Sequence, residues 1–234
     1  MATHALARDF RTFDPRRTRV VLLEGGDRIL PAFPPELSEK AKAQLEALGV
    51  EVRTNTRVTN ITPEGVRLGN DLLRARTVVW GAGVKASPLL AALDVPLDRG
   101  GRVLVEGDLS IPGHPEVTVV GDAAALKQDD DWVPGVAPAA MQGGRHVAAN
   151  IRRMLKKKEP LPFRYADKGS LATIGRRAAV ADFGRLRFSG FFAWLLWMVV
   201  HVLFLIGFRN KAAVMMEWAW AYLTYQRSAR VILR

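Results

Sequence analysis

The sequence contains no cysteine and only four histidines. Without cysteine the chain cannot form disulfides, thiolate metal sites or iron–sulfur clusters. The histidines are scattered without the spacing of metal ligands, so we predict no metal site. They are His4, His114, His146 and His201. The first residues also lack an apolar segment ahead of their charges, so we expect no secretory signal peptide there.

Acidic residues are scarce in the last third of the chain. Residues 151–234 hold 16 basic and 4 acidic side chains, whereas residues 1–150 hold 18 basic and 19 acidic ones. Such an imbalance indicates a surface that meets either nucleic acid or an anionic membrane. Here the basic residues are interleaved with tryptophan and leucine. We therefore expect the partner to be an anionic membrane surface, and we expect no binding to nucleic acid.

The central stretch begins with an apolar, β-branched run, Val117–Val120. Such a run predicts a buried parallel strand. It is followed by Gly121 and Asp122, at the position where open α/β sheets bind ligands beyond the carboxyl ends of their strands. A carboxylate there can accept hydrogen bonds from a chain of hydroxyl groups. After an acidic loop, the pattern predicts a helix over Ala139–Lys158, with small residues in its first turns.

The first 80 residues have the pattern of an α/β unit. Arg19–Glu24 predicts a buried parallel strand that ends in an acid, and Leu37–Leu48 predicts a helix closed by Gly49. An acid at the end of such a strand hydrogen-bonds a nucleotide ribose in Rossmann units. Three shorter runs alternate apolar and polar residues and predict an antiparallel excursion. They are Val50–Thr54, Val58–Thr62 and Val66–Leu68.

Another buried strand is predicted over Thr77–Trp80, directly before a glycine pattern. Residues 81–86 read GAGVKA and match G-x-G-x-x-A, which on pattern alone is a dinucleotide fingerprint. Ser87 and Pro88 delay the start of the next helix, however, and Leu89–Leu93 is short for a crossover helix. These features disfavour the fingerprint, and close backbone packing is the preferred explanation of the glycines.

A long apolar run, Phe191–Phe208, is interrupted only by His201. Its length makes it a candidate for a transmembrane helix. The residues that follow mix Trp218 and Trp220 with tyrosine, lysine and arginine, and this mixture is typical of an interfacial helix. Three interpretations stay open, a helix on the membrane surface, a spanning helix and a soluble core helix. The composition favours the first.

Six stretches occur in the order found in type II NADH dehydrogenase, the single-chain NADH:quinone oxidoreductase, which the chain resembles. They are VVLLEGGDRILPAF, TVVWGAGVKASPLL, TVVGDAAAL, APAAMQGGRHVA, YADKGSLATIGRRAAVADF and AWLLWMVVHVLFLIGFRNK. The resemblance implies an α/β fold, a partial two-dinucleotide-binding-domain (Rossmann-like) flavoprotein with a C-terminal helical membrane-binding region. It assigns residues 1–80 to the NADH-binding domain, 81–165 to the C-terminal part of the FAD-binding domain and 166–234 to the membrane-associating region. Without cysteine, the related disulfide reductases and sulfide:quinone oxidoreductases are excluded.

The resemblance also implies an activity, the passage of electrons from NADH through FAD to a membrane quinone without proton pumping. Gln142 would line the quinone site, and Lys168 would place a cation near flavin and quinone. Asp122 would hold the ribityl chain of FAD, and Glu24 would bind the ribose of NADH. The residues implied to bind cofactor are Glu24, Gly81, Gly83, Gly121, Asp122, Ala140, Met141 and Lys168.

The chain departs from the family pattern in two respects. Pro138 stands where the first of two glutamines is expected, and it offers neither an amide side chain nor an N–H, so another electron acceptor stays open. The earlier glycine motifs do not occur, so we expect an N-terminally shortened member, with a non-catalytic membrane-surface or dimerisation module as the alternative. The family further implies a homodimer, peripheral on the cytoplasmic face of the cell inner membrane.

Overall fold

The computed structural model describes residues 18–204 and 208–224. It contains two compact units, one comprising the chain up to Val78 and from Gly169 onward, the other Val79–Lys168. The C-terminal region thus packs with the N-terminal part of the chain. The assignment of three segments to NADH, FAD and membrane binding stays a prediction. The sequence of Met1–Arg11 predicts the end of a helix, and these residues lie outside the described ones.

The first unit begins with a strand–helix–strand arrangement. Strands β1 (Val20–Leu23) and β2 (Val50–Arg53) pair in parallel and are connected by helix α1 (Pro35–Ala47). Pro35 occupies the first turn, where no intrahelical N–H bond is lost. Gly49 follows the helix with a φ of +85°, a conformation that glycine adopts without strain. The predicted helix is therefore confirmed.

Two expectations about these strands are wrong. Val20 and Leu22 keep 43% and 38% of their surface exposed, so β1 is not buried. Within the described residues β1 pairs only with β2, which leaves much of its surface uncovered. The run Val50–Thr54 forms a strand, but a parallel one, because the α1 crossover returns the chain in the same direction.

An antiparallel meander follows, as predicted, with one strand more than expected. Its members are β3 (Asn60–Thr62), β4 (Gly65–Leu68) and β5 (Asp71–Arg74). Strand β5 has charged residues at both ends and only two apolar residues, so its sequence does not show the alternation that predicts a strand.

No strand forms over Thr77–Trp80, and this prediction is wrong. Val79 and Trp80 are 88% and 63% exposed. No strand of the described chain pairs with this run, and without a neighbouring strand it forms none itself.

The chain returns to the first unit in an antiparallel sheet of β12 (Ser170–Gly175), β13 (Ala178–Asp182) and β14 (Arg187–Ser189). Successive side chains of a strand point to opposite faces. Val180 accordingly packs with Leu37 of α1, whereas Ala179 and Ala181 pack against Ala193 of helix α3 (Phe191–Phe204). The sheet is therefore covered by a helix on each face.

Helix α4 (Phe208–Thr224) follows α3 and is joined to it by specific contacts. The rings of Trp197 and Trp218 stack with centroids 5.5 Å apart, and Lys211 Nζ donates to the carbonyl of Leu203 at 2.9 Å. Within the described residues the apolar run therefore contributes α3 and the first residue of α4. Among the residues that the structure describes, no helix combines the length and apolarity needed to cross a membrane.

The second unit is built from short strands and one long helix. Strands β6 (Val103–Leu104) and β9 (Ala124–Ala125) pair in parallel. Between them in sequence lies an antiparallel hairpin of β7 (Ser110–Ile111) and β8 (His114–Thr118). A second hairpin, β10 (Lys127–Gln128) with β11 (Asp131–Trp132), comes next and is followed by helix α2 (Ala137–Met154).

The predicted parallel strand Val117–Val120 is wrong in both pairing and burial. Its first residues belong to β8, which pairs antiparallel with β7. Val117 and Val120 are 40% and 37% exposed. Helix α2 begins two residues before Ala139 and ends four before Lys158. Its end precedes Lys157, whose φ of +55° is incompatible with a continuing helix.

Candidate functional site

A tight turn follows the β7–β8 hairpin and leads into a short 3₁₀ helix, Gly121–Ala123. Gly121 has a φ of +69°, in the region that favours glycine. A side chain at Gly121 would bring its Cβ to 3.2 Å from the Ala140 Cβ. Glycine therefore satisfies both the backbone conformation and the close approach of the turn to α2.

Asp122 lies exposed in this turn, and its carboxylate makes no hydrogen bond or ion pair within the part of the chain that the structure describes. Its Oδ1 is close to Gly135, where an added Cβ would lie 3.5 Å away. Asp129 in the following loop differs in this respect, since it pairs with Arg164 at 3.0 Å. Asp122 is thus free to accept hydrogen bonds from a bound molecule.

Helix α2 begins beside this turn without a side-chain cap. Val136 precedes it in extended conformation, Pro138 sits in its first turn, and that turn contains no acid. The N–H groups of a helix N-terminus carry partial positive charge and attract electron-rich groups. Ala140 is half-buried and Met141 is 37% exposed, so the first turns of α2 contribute small or apolar side chains here.

An apolar recess lies against the same turn. Its larger side chains come from Leu109, Val120 and Phe163. On the side of α2 it is lined by Ala139 and Gly143, whose small size lets the recess lie close to the helix backbone. A Cβ at Gly143 would lie 3.5 Å from Leu109 Cδ1, so the packing here is already tight. The recess can accommodate only a small apolar group.

Gln142 is half-buried and bonds to the backbone of a distant residue. Its Nε2 donates to the Ala166 carbonyl and its Oε1 accepts from the Ala166 N–H, both at 3.0 Å. Lys168, two residues later, is exposed and has no hydrogen-bond or ion-pair partner within the described residues. Gln142 and Lys168 are therefore linked through one short segment.

Tyr165 belongs to the same segment. Its hydroxyl lies 3.5 Å from Asp167 Oδ1. Burial, and then the nearby Asp167 carboxylate, raise the pKa of Tyr165 above its ordinary value. The phenol therefore stays protonated at neutral pH and remains a hydrogen-bond donor.

Glu24 lies at the end of β1, in the first unit. Its Oε1 accepts from the Gly26 N–H at 2.8 Å, while its backbone N–H donates to the Arg53 carbonyl at 2.9 Å. One carboxylate oxygen is engaged and fixes the side chain, and the other has no partner in the described chain. An acid held this way can accept hydrogen bonds from a diol.

Gly81 and Gly83 are exposed in a stretch without regular structure. Nothing in the described chain lies within 4 Å of a Cβ built at either, so close packing does not explain them. A fingerprint needs a strand before the glycines and a helix after them, and only a 3₁₀ helix, Pro88–Leu93, follows. That interpretation is wrong, and proximity to a cofactor stays a prediction.

The described residues contain no group of three or more metal-binding side chains. Gln128 and Asn150 were missed by the sequence analysis, although both bond to the segment that carries Lys168. Their partners lie 37 and 11 residues away, so no local pattern could reveal them.

Comparison with known proteins identifies the family. Residues 4–144, more than half of the chain, match the family described as pyridine nucleotide-disulphide oxidoreductase. The chain belongs to this family. Residues 168–227 match a second description, the NDH2 C-terminal domain.

Relatives in this family include two proteins of Mycobacterium tuberculosis. The chain is 41% identical to the type II NADH:quinone oxidoreductase Ndh, with 99% of the chain and 52% of the relative covered. It is 39% identical to the type II NADH:quinone oxidoreductase NdhA, with the same coverage. The chain therefore spans about half the length of the curated relatives it matches. The resemblance to type II NADH dehydrogenase is confirmed.

Solved structures support the same fold. NDH2 from Plasmodium falciparum, in complex with NADH, superimposes with a TM-score of 0.84 at 15% identity, over 97% of this chain and 62% of that one. A ferredoxin reductase from Rhodopseudomonas palustris gives a TM-score of 0.56 at 19% identity, over 76% and 48%. At these identities the likeness concerns the fold alone, and it confirms the predicted Rossmann-like α/β class.

Membership in the pyridine nucleotide-disulphide oxidoreductase family raises the question of a redox disulfide. This member has no cysteine, so no dithiol within the chain can take part in electron transfer.

Proposed function

We propose that this chain serves an NADH:quinone oxidoreductase, which oxidises NADH and reduces a membrane quinone. The observation that carries the proposal is the free Asp122 carboxylate beside the Gly121 turn and the uncapped start of α2. The names of the relatives support the same reaction. In the balanced reaction, NADH, a quinone and one proton give NAD⁺ and a quinol.

The residues around the turn fit FAD. Asp122 would accept hydrogen bonds from the ribityl hydroxyls, since nothing in the described chain occupies its oxygens. The N–H groups at the start of α2 would face the electron-rich edge of the flavin, with Ala140 and Met141 beside the ring. When bound, FAD would supply the redox chemistry between NADH and quinone.

Lys168 would act at the quinone end of the reaction. Its ammonium is exposed and unpartnered in the described chain, so it is free to stabilise the negative charge that develops on a quinone during reduction. Gln142 was predicted to line the quinone site. The two bonds to Ala166 use one N–H and one lone pair of its amide. The second N–H and the second lone pair are available for a contact with quinone.

The C-terminal helices support attachment to an anionic membrane surface. Exposed apolar side chains recur along α3 at Phe192, Leu195, Val199 and Leu203, at a spacing that places them on one side of the helix. Basic residues are plentiful in the same part of the chain. We expect a protein that is peripheral on the cytoplasmic face of the cell inner membrane, and a homodimer.

One experiment tests the reaction. The purified protein, incubated with FAD and desalted, should retain the flavin absorbance band at about 450 nm. NADH should bleach this band without oxygen, and a soluble quinone should restore it. A protein that retains no flavin after incubation would instead be a non-catalytic membrane-surface or dimerisation module.

Glu24 should set the preference for NADH over NADPH. Its free carboxylate oxygen suits the ribose 2′-hydroxyl of NADH and would repel the 2′-phosphate of NADPH. Repulsion between two solvated charges is about 1 kcal/mol at 4 Å. Glu24→Gln should therefore narrow the NADH:NADPH ratio of kcat/KM by about fivefold.

The matched control for this change is Glu39→Gln, which removes the same charge from an exposed position on α1. It should leave the ratio of the two nucleotides unchanged. An unchanged ratio in Glu24→Gln itself would mean that Glu24 does not contact the nucleotide.

A further inference from the structure

The segment from Leu161 to Lys168 runs through the second unit without joining any strand. Backbone N–H and C=O groups need partners when they leave water. Here side-chain amides supply them. Three residues of the segment have both backbone polar groups bonded to one side-chain amide each, namely Leu161, Tyr165 and Ala166.

The first of these amide pairings involves Asn150, which is almost fully buried. Its Nδ2 donates to the Leu161 carbonyl and its Oδ1 accepts from the Leu161 N–H, both at 2.9 Å. Gln128 pairs in the same way with Tyr165, at 3.2 Å to the carbonyl and 2.8 Å from the N–H. Gln142 completes the set with Ala166. Each amide thus reproduces the donor and acceptor that a neighbouring strand would offer.

The order of the pairings gives the segment a direction. Asn150, late in α2, holds Leu161, and Gln142, early in α2, holds Ala166. Residues 142 and 150 are about 12 Å apart along a helix axis. The segment therefore runs antiparallel to α2, and its end approaches the N-terminus of the helix. Lys168 is carried to the end of α2 at which Gly121 touches Ala140.

Gln128 adds a constraint that α2 alone does not provide. It lies on β10, and it pairs with Tyr165 next to the residue held by Gln142. Two adjacent residues are thereby fixed from two different elements. If the segment shifted by one residue relative to α2 and β10, all three pairings would break, because each amide bonds to both the N–H and the C=O of one particular residue.

We infer that Gln128, Gln142 and Asn150 are positioning residues, which fix Lys168 at the N-terminal end of α2 for its action on quinone. Gln128 and Asn150 act through the backbone of the 161–166 segment and not by contact with substrate, and Gln142 does so in addition to the quinone contact proposed above. The role of Lys168 in quinone reduction rests on the proposed function, whereas the three pairings do not depend on it.

Amide hydrogen exchange tests the pairings without any cofactor. Gln128→Ala should raise the exchange rate of the Tyr165 N–H by about tenfold or more, because its acceptor is lost. Gln128→Glu keeps the acceptor and should leave this N–H protected, which guards against a general loss of structure. Gln44→Ala is the control, since Gln44 donates to the Ala179 carbonyl in the other unit. Unchanged exchange at Tyr165 in Gln128→Ala would overturn the pairing.

Quinone kinetics of the flavin-loaded protein test the positioning. A displaced reacting group can cost about a hundredfold in rate, so Gln128→Ala should lower kcat/KM for a soluble quinone by about tenfold to a hundredfold. The rate of flavin bleaching by NADH should not change. In a Lys168→Met background the same change should have almost no effect, because the group being positioned is gone.

The outcomes separate the two proposals. Equal losses from Gln128→Ala with and without Lys168 would refute the positioning role, even if exchange at Tyr165 rises. A parent protein that binds FAD but never reduces quinone would refute the proposed function. In that case the exchange measurements would still decide whether the amides hold the segment.

Discussion

Asp122→Ala should deprive the protein of tightly bound FAD. The wild-type carboxylate is exposed and unpartnered in the described chain, so its removal breaks no internal bond. A hydrogen bond to a charged group contributes about 1.5–3 kcal/mol, and 1.4 kcal/mol corresponds to tenfold in affinity. The loss of even one such bond to a ribityl hydroxyl should weaken FAD binding by roughly tenfold to a hundredfold. Flavin titration followed by fluorescence measures this directly.

Two companion variants make the result specific. Asp130→Ala removes another exposed carboxylate from the loop that follows and should bind FAD as the parent does. Asp122→Asn keeps one acceptor oxygen and should lose affinity only in part. If Asp122→Ala retains flavin with unchanged affinity, Asp122 does not hold the ribityl chain.

Polar substitution of the exposed apolar residues on α3 and α4 should release the protein from anionic vesicles. Phe192, Leu203 and Trp220 are 73%, 64% and 63% exposed, so serine at these positions should leave the fold intact. Burial of one such side chain contributes roughly 1.5–3 kcal/mol when complete. The triple variant should therefore bind at least about a hundredfold more weakly, as measured by vesicle sedimentation.

Salt separates the apolar contribution from the charge contribution. A basic residue near an anionic surface contributes about 1 kcal/mol before screening, so high salt should weaken binding without abolishing it. Leu89→Ser with Leu155→Ser is the control, since these residues are equally exposed but lie in the second unit. Complete release by salt alone would indicate a purely electrostatic attachment. Resistance to carbonate extraction, with the C-terminus protected from protease, would indicate a spanning segment.

The helices could be predicted from the sequence because their boundary signals are local. Pro35 stands in the first turn of α1, and Gly49 follows the end of the helix. Strand burial could not be predicted in the same way. Val117–Val120 and Thr77–Trp80 have the apolar pattern of buried strands, but burial depends on which strands lie alongside. In the described chain one run continues a hairpin and the other pairs with nothing.

In the candidate site, too, local features could be predicted from the sequence and contacts with distant residues could not. Gly121 could be predicted as a tight turn because its neighbours in sequence already suggest one, and the structure adds its contact with Ala140. The pairing of Gln142 with Ala166 could not be predicted, because the sequence around an amide side chain does not indicate which distant backbone group it will bond. The functional roles of Asp122 and Lys168 remain predictions that the experiments above decide.

The two-sided sheet of β12–β14 limits how this protein can be shortened. Ala179 and Ala181 are completely buried because Ala193 of α3 covers them, while Val180 on the other face is covered by α1. Truncation before Phe191 would remove α3 and expose the face of the sheet that it covers, and the opposite face of the same sheet packs against α1. A more soluble version suited to crystallisation must therefore retain the start of α3, and its solubility has to come from polar substitutions on the exposed side.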